Sequence, residues 1–145
     1  MLLLRKRHLL AFLTLSLCLA GCSAEVPESV QQEGDVSENM RLLETAYREA
    51  SSENNRPPKD QDELAAFLPE GAQLSDLLTS PQDGQPITII YDVDLQASLT
   101  MGPVVIAYEK QGRDGSRMVL TTMGVMAMSD EEFAGATFPK NHTPQ

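Results

Sequence analysis

The chain contains no tryptophan, and aromatic residues make up only 5% of it. Its two cysteines, Cys18 and Cys22, lie near the start, so nothing beyond residue 22 can form a disulfide or serve as a thiol nucleophile. Beyond the first ten residues histidine occurs once, as His142 near the C-terminus. A zinc enzyme needs several converging His, Cys or carboxylate ligands, so the shortage of these residues argues against that class.

Positive charge is scarce as well. The chain has 11 Lys and Arg residues against 21 Asp and Glu, which gives a net charge of −10. Three of the basic residues lie at positions 5–7, and residues 1–21 contain no acidic residue. Removal of that segment would leave eight basic and 21 acidic residues, a net charge of −13. Proteins that bind nucleic acid need clusters of Lys and Arg, so the composition argues against nucleic acid as a partner.

The first 22 residues have the organisation of a secretory leader. Basic residues at 5–7 precede an apolar run over 9–20, which is too short to span a bilayer of roughly 30 Å as a helix. The run closes on the sequence Leu-Ala-Gly-Cys at 19–22, which resembles the lipobox of bacterial lipoproteins. The resemblance implies a signal peptide over 1–21, cleavage between Gly21 and Cys22, and lipidation of Cys22 with acyl chains such as palmitate.

A lipidated Cys22 implies a protein of the bacterial cell envelope that is anchored in a membrane. Ser23 stands where an aspartate retains well-studied lipoproteins in the inner membrane, which favours the periplasmic face of the outer membrane. Residues 22–36 are polar and acidic and carry only scattered apolar side chains. Such a segment buries too little to offset its chain entropy, so we expect a disordered acidic tether there.

Residues 37–136 predict one small α+β domain. Ser37 is a suitable N-cap, and apolar residues then recur at three- and four-residue spacing, which predicts an amphipathic helix over 38–54. The prolines at 57–58 end it. Asp60 and Glu63 have the spacing of a capping box and predict a second, short helix. The leucines at 74–78 predict either one turn of helix or an irregular packed loop, with their side chains in the core.

The second half of the domain predicts strands. Residues 87–91, 104–108 and 118–122 are rich in β-branched and aromatic side chains, and 125–128 can add a short edge strand. We therefore expect the long N-terminal helix to pack on an antiparallel sheet of three or four strands, with short accessory helices. Ser129 caps a last helical turn, and residues 137–145 are expected to form a flexible tail.

This order of elements resembles the globular part of the pseudopilins of type II secretion and related pilin-like proteins. The matching segments are 40–47 with 54–58, then 62–64, 78–84, 104–110 with 114–115, and 129–133. In that family the end of the long helix packs across the sheet. The chain departs from the pattern at its start, where a lipobox replaces the prepilin cleavage site and the polymerising apolar helix. The resemblance therefore implies a pilin-like domain that does not build a pilus shaft.

Several carboxylates are candidates for catalytic or metal-binding groups. Asp92 and Asp94 flank one residue after a strand, and Asp114 lies in a glycine-containing turn, where solvated turn carboxylates are common. Glu131 and Glu132 are adjacent on a helix, so their side chains do not face each other as an acid/base pair would. Their position at the start of the helix instead suits the helix dipole, which favours negative charge there. We predict no catalytic residue, no metal site and no cofactor.

Five methionines in the second half suggest soft-metal binding at first sight. They lie at positions 101, 118, 123, 126 and 128. Thioether copper sites use closely repeated methionines or a histidine companion, so core packing or a plastic contact surface is the favoured interpretation.

Taken together, these features predict a membrane-anchored envelope lipoprotein that acts as a non-catalytic binding or scaffold module for other envelope proteins. A link to secretion or surface assembly follows from the pilin-like resemblance alone. The alternatives are a periplasmic enzyme or enzyme inhibitor of unknown substrate, and a protein that handles copper or calcium.

Overall fold

The computed structural model describes residues 28–82, 84–97, 100 and 102–144. The predicted signal peptide, its cleavage site at Gly21 and the lipidated Cys22 lie outside the described residues. None of the helices in the described part of the chain is both long and apolar enough to cross a bilayer.

The first element is helix α1, Glu28–Asn54. Its buried side chains recur every three or four residues and form one apolar face. They are Val36, Met40, Leu43, Ala46, Tyr47 and Ala50. The helix begins ten residues earlier than predicted, so it includes residues 28–36, for which we expected a disordered tether. The physical reason is Val36, which lies one turn before Met40 and is completely buried, so its turn of helix is part of the packed domain.

Two short helices follow α1. Helix α2, Gln61–Ala65, is capped by Asp60, whose carboxylate accepts a hydrogen bond from the backbone N–H of Glu63 over 2.9 Å. The predicted capping box is only half formed, because the Glu63 carboxylate accepts from the backbone N–H of Lys59 instead of that of Asp60. Helix α3, Leu74–Leu77, buries both of its leucines, as the sequence predicted for this turn.

The sheet has four antiparallel strands in the order β1-β2-β3-β4, which are Ile87–Ile89, Val105–Glu109, Ser116–Thr121 and Gly124–Ser129. Tyr108 pairs with Val119, and Val119 pairs with Met126, so these three residues form a row across the sheet. The predicted α+β arrangement of a long helix on a small antiparallel sheet is confirmed. The edge strand predicted over 125–128 is a full six-residue strand.

Both faces of the central strands are covered. Tyr108 and Val119 on one face and Ala107 and Leu120 on the other are all completely buried. Helix α1 packs against β3 and β4. A last helix, α4 at Asp130–Ala134, is capped by Ser129 as predicted, and the structure adds a complete capping box between Ser129 and Glu132. This helix places Phe133 against Tyr108.

The C-terminal segment packs against the domain over residues 137–142, within the stretch for which we expected a flexible tail. Thr137 accepts a hydrogen bond from the backbone N–H of Val105 over 2.9 Å. The ring of Phe138 then lies 5.3 Å from that of Phe133 and 6.0 Å from that of Tyr108, between centroids. Edge-to-face contacts of this kind are favourable, and they attach the segment to the sheet.

Candidate functional site

A groove with a volume of about 760 Å³ lies at the C-terminal end of α1. One wall comes from the end of α1 and the residues after it, and the other from the loop that follows β1. The lining residues are Arg48, Ser51, Ser52, Asn55, Arg56, Pro57, Asp92, Asp94, Leu95 and Gln96.

The helix wall exists because α1 stops at Asn55. This residue has a positive φ of 51°, a left-handed conformation that asparagine tolerates better than most residues. Arg56 then donates its backbone N–H to the carbonyl of Ser51 over 3.2 Å and closes the last turn. The two prolines that follow cannot continue the helix, so the chain turns away and leaves the end of α1 open.

The loop wall is held by three hydrogen bonds. Asp92 has a positive φ of 61°, and its backbone N–H donates to the carbonyl of Pro58 over 2.9 Å. The next residue, Val93, donates its backbone N–H to the hydroxyl of Tyr47 over 2.9 Å. Asp94 accepts from the backbone N–H of Gln96 over 2.8 Å. These contacts join the loop both to α1 and to the segment before α2.

Arg56 forms a bidentate ion pair with Glu63 at one end of the groove. Its Nη1 and Nη2 donate to the two carboxylate oxygens of Glu63 over 2.7 and 2.8 Å. This pairing, together with the hydrogen bond from the backbone of Lys59, lowers the pKa of Glu63 to about 2. The bidentate geometry fixes the guanidinium plane, and its charge is compensated inside the protein.

Arg48 is compensated in the same way. It pairs with Glu44 over 2.9 Å, one turn earlier on α1, and donates to the backbone carbonyl of Thr122 over 3.0 Å. The hydroxyl of Ser51 donates to the carbonyl of Tyr47 over 2.7 Å. Arg48, Ser51 and Arg56 therefore all have partners within the protein. The exposed carboxylates of Asp92 and Asp94 give the groove a negatively charged wall.

The fold places the candidate carboxylates in different parts of the molecule. Asp92 and Asp94 both line the groove, whereas Asp114 lies in the turn between β2 and β3 with a positive φ of 54°. Glu132 completes the capping box of α4. No group of three or more His, Cys, Asp or Glu residues within the described ranges is placed to hold a metal ion.

The methionines and the histidine have different surroundings. Met118 is buried in the core, while Met123 and Met126 are 71% and 43% exposed. His142 lies 3.1 Å from the hydroxyl of Tyr108 through its Nε2 and stacks on Phe138. His142 is therefore part of the contact between the C-terminal segment and the sheet.

Two features of the structure have no counterpart in a local sequence pattern. Arg56 and Asp92 both line the groove although they are 36 positions apart in the chain. No local sequence pattern predicts that they come together. Glu109 is the other feature. It lies at the end of a strand but is 1% exposed, and it accepts hydrogen bonds from the hydroxyl of Ser80 over 2.7 Å and the backbone N–H of Met118 over 2.8 Å.

The comparisons with known proteins give no relative. No family model matches the chain, and neither a curated protein nor a solved structure shows significant similarity to it.

Proposed function

We propose that this protein is a lipid-anchored lipoprotein of the bacterial cell envelope that acts as a non-catalytic binding or scaffold module. One observation carries the proposal: a basic and apolar leader that closes on Leu-Ala-Gly-Cys at 19–22. Lipidation of Cys22 would hold the mature chain in a membrane, and Ser23 favours the outer membrane and its periplasmic face. Several acyl chains give a stable anchor, whereas a single chain gives only marginal binding.

The start of α1 is consistent with an anchored domain. Only five residues separate Cys22 from Glu28, where α1 begins. A helix of 27 residues is about 40 Å long at 1.5 Å per residue. The domain would therefore be carried on a continuous helix that starts close to the anchor and packs against the sheet.

The chemistry of the groove supports binding over catalysis. Arg48 and Arg56 are paired with glutamates, and the Ser51 hydroxyl donates to a backbone carbonyl. Covalent catalysis requires a nucleophile that is hydrogen-bonded to a base, and these three groups do not form such a pair. The exposed carboxylates of Asp92 and Asp94 suit a ligand with positive charge, such as a basic segment of another envelope protein. A role in secretion or surface assembly rests on the pilin-like arrangement of a long helix on an antiparallel sheet.

The anchor is tested by metabolic labelling with a clickable palmitate analogue. We expect the wild-type chain and Cys18→Ala to incorporate the label, because Cys18 belongs to the leader that is removed. Cys22→Ala should incorporate none. Labelled protein should sediment with the outer membrane in a density gradient. Absence of label from the wild-type chain would overturn the proposed anchor.

The binding role is tested by affinity purification from gently solubilised envelopes. Asp92→Asn removes a groove charge and keeps a residue that tolerates positive φ. Asp114→Asn makes the same change at the same type of backbone position outside the groove, and it is the matched control. We expect proteins that copurify with the wild type and with Asp114→Asn to be lost with Asp92→Asn. Equal recovery with both variants would contradict the groove as the contact surface.

A further inference from the structure

Strand β4 leaves one edge of the sheet open. Among the described residues it pairs only with β3, and it is the last strand in the sheet order. The opposite edge is different, because Ile87 of β1 donates its backbone N–H to the carbonyl of Leu78 over 2.8 Å, so residues before the strand cover part of that edge. An edge strand presents unpaired N–H and C=O groups that can pair with another chain.

The composition of β4 does nothing to prevent such pairing. Its six residues, Gly-Val-Met-Ala-Met-Ser, include no charge and no proline, the two devices with which proteins usually block an exposed edge. Met126 and Ala127 in the middle of the strand are both exposed. The only large apolar side chains that are exposed in the described ranges are Met126 and Met123, and Met123 lies in the turn that leads into β4. Exposed apolar groups concentrated at one open edge indicate an interface.

We propose that β4 pairs with β4 of a second copy of this chain, antiparallel and about a two-fold axis, so that the two sheets form one continuous sheet of eight strands. A two-fold axis makes the same patch serve on both copies. The backbone groups of the two strands supply the hydrogen bonds, and the adaptable methionines pack beside them.

The distribution of charge favours a second copy in this orientation. At the start of β4 the charges balance, because Arg48 is paired with Glu44 and donates to Thr122, the residue before Met123. At the end of β4 they do not, because α4 opens with the three carboxylates of residues 130–132. Within the described ranges only Asp130 of these is in a salt bridge, with Arg117 at 2.6 Å.

Antiparallel pairing places the balanced start of one strand beside the acidic end of the other. Parallel pairing would bring the two acidic ends together, and like charges in close contact are destabilising. In a chain with such an excess of acidic residues, the uncharged β4 is also where two copies approach with the least repulsion. This inference concerns a surface distinct from the groove, and it holds whether or not the proposed anchor is present.

Cysteine cross-linking in intact cells gives the first test, because the chain has few cysteines of its own. Residues that face each other in an antiparallel pair have Cα atoms about 4.5–5.5 Å apart, within the roughly 4.4–6.8 Å range that a disulfide spans. Met126→Cys and Ala127→Cys each place a thiol near the proposed axis, and Ser75→Cys is an exposed control in α3. The wild-type chain gives the background from Cys18 and Cys22.

After oxidation with copper phenanthroline, we expect a dimer of this chain with Met126→Cys or Ala127→Cys, at least about fivefold above wild type and Ser75→Cys. Which of the two residues reacts better reports the register of the pairing. A dimer yield equal to that of Ser75→Cys for both variants would overturn the proposal. Cross-linking mainly to a different protein would also overturn it.

Light scattering of the detergent-solubilised full chain gives a second test that needs no new cysteine. We expect the wild type to have the protein mass of a dimer. Ala127→Lys places like charges across the axis and should weaken association at least about fivefold, while Ser75→Lys makes a similar charge change elsewhere and should leave the dimer intact. A monomeric wild type, or a dimer unaffected by Ala127→Lys, would contradict pairing through β4.

Discussion

The hydroxyl of Tyr47 lies within hydrogen-bonding distance of both backbone polar groups of Val93. The N–H of Val93 donates to it over 2.9 Å, and the carbonyl oxygen of Val93 is 3.5 Å away. Both residues are buried. Because Asp92 and Asp94 on either side of Val93 line the groove, this contact attaches the loop wall of the groove to the helix wall.

Tyr47→Phe should therefore destabilise the protein by about 1–3 kcal/mol, because the buried N–H of Val93 loses its acceptor and water cannot replace it. Urea unfolding followed by circular dichroism measures the change. Tyr91→Phe at the half-buried tyrosine of the same region is the control, and we expect it to change the free energy of unfolding by less than about 0.5 kcal/mol. Equal effects of the two changes would show that the Tyr47 hydroxyl does not hold the loop.

The same residue predicts the response to alkaline pH. Burial raises the pKa of Tyr47 from its ordinary value of 10.0 to about 12. Ionisation is easier in the unfolded chain than in the folded one, so this contribution to stability is present below pH 10 and is lost as the pH rises towards 12. Urea unfolding at a series of pH values should show this decline in the wild type. Tyr47→Phe should show a smaller decline, and an unchanged pH dependence would contradict the assignment.

Acid should act on the ion pair at the end of the groove. The Arg56 guanidinium holds the pKa of Glu63 near 2, so the unfolded chain binds a proton at higher pH than the folded chain does. The stabilisation is present above pH 4.5 and is lost as the pH falls towards 2. Glu63→Gln should reduce the acid-dependent loss of stability measured by urea unfolding. Glu70→Gln, at an exposed glutamate, should not reduce it.

The early start of α1 can be tested at Gly34. Nothing lies within 4 Å of the position that a Cβ would take there, and the residue is inside the helix. Gly34→Ala should therefore raise helix content by circular dichroism and stabilise the protein by about 0.5–1 kcal/mol. No change would indicate that residues before Val36 are not helical in solution.

Gly112→Ala is the contrasting substitution for this test. A Cβ at Gly112 would clash with the backbone oxygen of Ser116, in the turn between β2 and β3. Since backbone atoms must move to accept it, we expect a loss of stability of about 1–3 kcal/mol.

Packing of the C-terminal segment predicts a cost for Phe138→Ala. Its ring contacts those of Tyr108 and Phe133, and it is half-buried, so we expect a loss of about 2–3 kcal/mol in urea unfolding, near the lower end of the range for buried phenylalanines. Thr143→Ala, at an exposed position of the same segment, should have little effect. Equal stability of Phe138→Ala and the wild type would show that the segment is loosely attached.

The sequence predicted those parts of the fold whose signal is local. The strands follow β-branched runs, and the end of α1 follows from Asn55 and the two prolines, because backbone preferences act over a few residues. The start of α1 was missed because residues 28–35 look like a solvated coil, and only the burial of Val36 shows that the helix has already begun.

The remaining differences depend on contacts between distant parts of the chain. Phe138 finds its partner Tyr108 thirty positions earlier, so composition alone suggested a loose tail. The groove depends on the meeting of the end of α1 with the loop around Val93, which the hydroxyl of Tyr47 secures. Such pairings follow from the whole topology, and a single sequence carries no local pattern for them.

The absence of tryptophan has a practical consequence once the tyrosines are placed in the fold. The three tyrosines are the only source of protein fluorescence near 300 nm, and each reports on a different part of the molecule. Tyr47 joins the helix to the groove loop, Tyr91 lies half-buried next to Asp92, and Tyr108 is buried between the sheet and the C-terminal segment. Single phenylalanine substitutions would thus give the unmodified chain three separable optical probes, for the groove loop, its neighbour and the C-terminal contact.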